Sequence, residues 1–126
     1  MCMSVEELGP AVANIFDSYQ CFAGHEIGLV TDFIPVSQVQ EIFQDVFSPD
    51  QIIETEQVDM KEWVEAKDTY MKDLGQMFAS LSHVDFLRHR HSVAKTFSLV
   101  PSARNLRQWV EQNKDNPAFR EKLGLR

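Results

Sequence analysis

The residues best suited to chemistry in this chain are its four histidines, two cysteines and a run of basic side chains, and their spacing decides what each can do. His25, His83, His89 and His91 are the histidines. Asp85 and His89 lie four apart, so on a helix they face the same side and could share a metal ion, with His25-Glu26 completing the set. Arg88 and Arg90 flank that position and would repel a divalent cation, so no metal site is assigned. Nor does any pattern single out a proximal haem ligand. Cys2 and Cys21 have neither metal-like nor redox-like spacing and read as reduced thiols, Cys21 as a small core residue. A Gly-rich phosphate loop, His-Glu-x-x-His, Gly-x-Ser-x-Gly and a calcium loop are all absent from the sequence. No catalytic residue and no cofactor is therefore expected, and the chain leans away from enzymes.

The basic run carries more information. Residues 1–62 hold twelve acids against the single base Lys61, a net charge of −11, whereas residues 63–126 hold seven acids against eleven bases, a net +4. Nothing acidic lies between Asp85 and Glu111, while Arg88, Arg90, Lys95, Arg104 and Arg107 all do. Together with His91 these residues form the candidate partner-binding set. They could collect phosphate charge, helped by helix N-termini, which makes nucleic-acid binding the alternative function. Five bases in a protein of pI near 5.0 fall short of the usual nucleic-acid footprint. Pairing of the acidic half with the basic half, within the chain or across a dimer, uses the same asymmetry without a ligand.

The elements that must position these groups are helices. The apolar residues Met60, Trp63, Val64, Tyr70, Met71, Leu74, Met77, Phe78 and Leu81 keep a seven-residue rhythm interrupted only by Lys67, which predicts one long amphipathic helix over about 60–82. A stripe that wide needs cover from other helices or from a second copy of the chain, so Met60, Trp63, Tyr70, Met71 and Met77 mark a candidate self-association surface. Ser4-Val-Glu-Glu7 is a capping-box pattern, and Val5, Leu8, Val12, Ile15, Phe16 and Tyr19 hold a helical phase that should end near Gly24. Residues 25–36 mix β-branched residues with Gly and Pro and suit an irregular or short β-like connection. Ser37 with Gln40 caps a helix carrying Val39, Ile42, Phe43, Val46 and Phe47, and Ser48-Pro49 opens a short one with Ile52 and Ile53.

Beyond the long helix, Ser82 with Asp85 should cap a helix from about 83 to 97, with Phe86, Leu87, Val93, Ala94 and Phe97 in one apolar arc that also takes in Arg90, and Arg88, His91 and Lys95 on another face. Ser102 should cap the next, turning Leu106, Trp109 and Val110 inward, and Asn116-Pro117 starts the last, closed by Gly124-Leu125.

The fold expected from these signals is an all-α, compact bundle of six or seven helices around one long central helix, forming a single domain over 1–126. With 44% apolar and 25% charged residues the composition is that of a soluble globular protein. No secretory-type N-terminal segment and no apolar run of membrane length occur in it, which points to the cytoplasm. The function expected is a non-enzymatic protein–protein interaction module that self-associates: an adaptor, regulator or assembly subunit. A small metal- or cofactor-binding protein is the remaining alternative.

Overall fold

A computed structural model describes residues 1–49, 51–56, 59, 62, 73–77, 79 and 89–125. The protein is mostly helical. It divides into two compact units, one formed by Met1–Glu54 with Ser92–Arg126 and the other by Thr55–His91.

The first unit begins with a 3-10 turn, Val5–Glu7, followed by α1 (Leu8–Asp17) and the short α2 (Tyr19–Phe22). Ser4 caps the turn, its Oγ accepting the Glu6 N–H at 3.3 Å. Glu7 does not close the capping box that the sequence suggested, because its carboxylate is buried and committed to Arg104. Pro10 is the third residue of α1, in the first turn, where a missing N–H breaks no intrahelical bond. The helical phase ends as expected at Gly24, which takes φ +78°, a conformation glycine adopts without a Cβ penalty. β1 (Gly28–Leu29) pairs with β2 (His91–Ser92), and an isolated bridge joins Cys2 to Asp32. This is the short β-like connection expected in 25–36.

α3 (Val36–Phe47) forms where the i, i+3, i+4 apolar spacing placed it. Its start differs from expectation: Pro35 is the N-cap, there is no side-chain cap, and Gln40 turns away to donate to the Ile53 carbonyl at 2.9 Å. Gln44 donates to the Gln51 carbonyl and accepts the Ile53 N–H. These glutamines satisfy the backbone of residues 51–53 from outside, so that stretch is a non-helical strap and the short helix expected after Ser48-Pro49 does not form.

The helix expected over 83–97 is also interrupted. Residues 81–88 lie outside the described residues, 89–90 are helical, and His91–Ser92 is extended before α4 (Val93–Leu99) begins. The break has a local cause: Ser92 Oγ accepts the Lys95 N–H, and Thr96 Oγ1 donates to the Ser92 carbonyl. α5 (Leu106–Asn113) is capped by Asn105 rather than Ser102, in a full capping box with Gln108. α6 (Pro117–Lys122) opens on Asn116, and Leu125 N–H returns to the Arg120 carbonyl past Gly124 at φ +70°.

Two apolar groups hold the first unit together. Ala11, Leu99, Val100 and Ala103 are buried, with Ile15, Phe22, Ile27, Leu29 and Phe97 packed around them. On the other side Trp109 meets Phe119 edge to face at 5.1 Å between centroids, and Phe119 meets Phe43 and Phe47 at 6.5 and 6.2 Å. Thr96 joins the β connection to α4: wholly buried, it accepts the Val30 N–H at 2.9 Å. The sequence-based apolar arc omitted Thr96 and included Ala94, which is exposed.

In the second unit residues 62, 73–77 and 79 are helical and Gly75 is buried. The remainder of the expected central helix lies outside the described residues. No helix among the described residues is long and apolar enough to cross a membrane.

Thr96→Val keeps the shape of the side chain but leaves the Val30 N–H without its acceptor. We expect a loss of about 1–3 kcal/mol, read as a lower urea midpoint at constant slope; an unchanged midpoint would show that Thr96 acts by shape alone.

Candidate functional site

The basic residues selected from the sequence do not gather into one open patch. Arg104 is the centre of a charge network: its Nε donates to Glu7 and its Nη2 to Glu6, each at 2.6 Å, and its Nη1 donates to Gln112. Glu7 is only 4% exposed. The two carboxylates hold the Arg104 guanidinium pKa above its ordinary value, Glu7 foremost through its hydrogen bond. Arg107 donates to Asp45 at 2.7 Å and has Glu111 one turn away at 3.9 Å, and its pKa is likewise raised, chiefly by Asp45. Arg104 and Arg107 are thus paired with acids of the first 62 residues. Internal pairing neutralises that part of the charge asymmetry.

Lys95 is exposed, its ammonium 6.0 Å from the centroid of the Phe22 ring. Arg90 is exposed and His91 half-buried in β2; Arg88 lies outside the described residues. Because the chain is extended at His91–Ser92, the helical face expected to carry Arg88, His91 and Lys95 together does not exist. Among the self-association candidates, Met77 is 45% exposed, and Met60, Trp63, Tyr70 and Met71 lie outside the described residues. Asp85 also lies outside them, His25 and His89 are exposed, and no three His, Cys, Asp or Glu side chains among the described residues could hold a metal.

The clearest surface feature is on the N-terminal helices. Val5, Leu8, Val12, Phe16 and Tyr19 follow one another at spacings of three and four, and all five are exposed, Val5 to 84%, Phe16 to 72% and Tyr19 to 61%. α1 turns Ala11 and Ile15 to the core and Asn14 to the Leu99 carbonyl, a 2.6 Å bond, so the larger apolar residues face out. The sequence found this periodicity and left open which way it pointed. Between Leu8 and Gly24 the only charged residue is Asp17. Cys21, expected in the core, is exposed on α2, where the adjacent Phe22 takes the inward position.

Cys2 is the other thiol, free and half-buried. Burial pushes its pKa up, and the neighbouring Asp32 adds to the effect. Asp32 also accepts the Leu106 N–H at 2.8 Å, joining the Cys2–Asp32 bridge to the first turn of α5. No family model matches this chain.

Two outcomes follow. Raising the Cys2 pKa depletes its thiolate at any given pH below it, so iodoacetamide at pH 8 should alkylate Cys2 more slowly than exposed Cys21, as peptide mass spectrometry would record; faster labelling of Cys2 would contradict its burial. Glu7→Gln should cost about 1–3 kcal/mol in denaturant unfolding, and much less when made in an Arg104→Met background, because the lost interaction is then already gone.

Proposed function

We propose that this chain is a non-enzymatic protein–protein interaction module, and that its contact face is the apolar stripe Val5, Leu8, Val12, Phe16 and Tyr19. The observation that carries the reading is a helix face exposing two aromatic and three aliphatic side chains with no charge among them. Interface cores are depleted in charge and enriched in aromatics, and scattered single apolar residues do not produce such a row.

The first partner is a second copy of the chain. In a two-fold contact each patch meets itself, so any charge on the face would meet its own image. A protein of net charge −7 that keeps one face nearly free of charge meets that condition. From Val5 to Tyr19 the stripe runs roughly 22 Å at about 1.5 Å per residue, long enough to serve as the spine of an antiparallel helix pair. The apolar rhythm of residues 60–82, with Met77 exposed, supports a second contact stripe on a long helix. The nucleic-acid reading loses Arg104 and Arg107, whose charge is already met by carboxylates.

Light scattering coupled to size exclusion tests the proposal. The native chain should show the mass of a dimer at micromolar concentration. Leu8→Glu with Phe16→Glu should give a monomer with an unchanged circular dichroism spectrum, since both side chains already face solvent. Each change should weaken association by about 30-fold or more, the ~2 kcal/mol of a hot-spot residue. Native protein that stays monomeric throughout, or a double variant that dimerises as well as the native chain, would refute the self-association reading.

A further inference from the structure

A cavity of about 370 Å³ opens between the N-terminal segment and the start of α5. This volume lies in the range of small-molecule sites, about 300–1,000 Å³, and greatly exceeds the ~30 Å³ share of one water. Met3, Val5, Leu106 and Trp109 supply its apolar wall.

The buried Nε1–H of Trp109 has no hydrogen-bond acceptor, whereas other polar groups around the cavity are already occupied. Ser4 Oγ accepts the Glu6 N–H, Thr31 Oγ1 donates to the Cys2 carbonyl, and Asn105 Oδ1 accepts the Gln108 N–H. Arg104 also lines the cavity, but all three of its nitrogens donate to Glu6, Glu7 and Gln112. One guanidinium held between two carboxylates leaves a local excess of negative charge, so Arg104 has no uncommitted charge with which to hold an anion; another cation near the cavity is the N-terminal ammonium, which acts on Cys2. The Cys2 thiol at its edge stays protonated, because burial and Asp32 raise its pKa. A wall of thioether, indole and aliphatic carbon favours flat, polarisable, uncharged surfaces.

We propose that this cavity is a binding site for a small, neutral, largely aromatic molecule; it shares Val5 with the protein-contact stripe, and its other apolar walls, Met3, Leu106 and Trp109, lie off that stripe. Acids and phosphorylated compounds are disfavoured by the same charge arrangement that fixes Arg104.

The test compares two fluorescent probes that share an N-phenylnaphthylamine skeleton. N-phenyl-1-naphthylamine is neutral, and 8-anilino-1-naphthalenesulfonate carries a sulfonate. The neutral probe should bind saturably at one site per chain, and the anionic one at least tenfold more weakly. Met3→Trp, which fills the cavity, should abolish binding of the neutral probe, whereas Phe16→Glu on the stripe should leave its affinity within twofold. Should Met3→Trp not fold, amide shifts of the native protein on adding the neutral probe serve instead, and they should concentrate at Met3, Val5, Thr31, Leu106 and Trp109. Absence of saturable binding, equal affinity for the two probes, loss of binding in Phe16→Glu alone, or shifts centred on residues 8–19 would each overturn the proposal.

Discussion

The bond from Arg104 to the buried carboxylate of Glu7 is the constraint on which the first unit depends. A carboxylate removed from water is costly unless a cation and hydrogen bonds replace its hydration, and the planar guanidinium provides both in a fixed geometry. The contact spans 97 residues of sequence and fixes the turn before α1 against the segment that leads into α5. A second path repeats the connection: Cys2 to Asp32 along the backbone, then Asp32 to the Leu106 amide. The cavity exists because the N-terminal segment is held at this fixed distance from α5. The charge character of its wall comes from the same salt bridge.

Size complementarity explains the outward stripe. α1 approaches the chain around Leu99–Ala103 through Ala11, and a small residue at the contact allows two backbones to come close. A helix seated that deeply on an alanine has room inside for Ile15 and little else. Leu8, Val12 and Phe16 are left facing out by geometry, although their side chains are larger and more apolar than the one that is buried.

Much of the helical content was legible from periodicity and caps. The spacing of Ile42, Phe43, Val46 and Phe47 located α3, Asn116-Pro117 located α6, and Gly124-Leu125 its end. Residues 25–36 were recognised as an irregular, β-like connection from their mixture of Gly, Pro and β-branched residues. Sequence reasoning failed where a polar side chain served a distant backbone instead of its own helix. Gln40 and Gln44 hold residues 51–53, Thr96 accepts the distant Val30 N–H, and Glu7 meets Arg104 instead of closing a box. Each motif has the same local spelling whether or not a long-range partner takes the group away. The candidate site was less legible for a related reason: a run of bases shows that charge is present, while its neutralisation by Glu6, Glu7 and Asp45 depends on contacts 62 to 98 residues apart.

The first unit is built from the two ends of the sequence, with residues 55–91 between them. A ribosome adding about 5–20 residues per second takes roughly 5–20 s to travel from Glu7 to Arg104. During that interval the Glu7 carboxylate has no Arg104 to pair with. Since closing a longer loop adds only ~0.6 kcal/mol per doubling, the intervening segment can vary in length with little thermodynamic effect on the unit that encloses it, while delaying the moment at which that unit can first assemble.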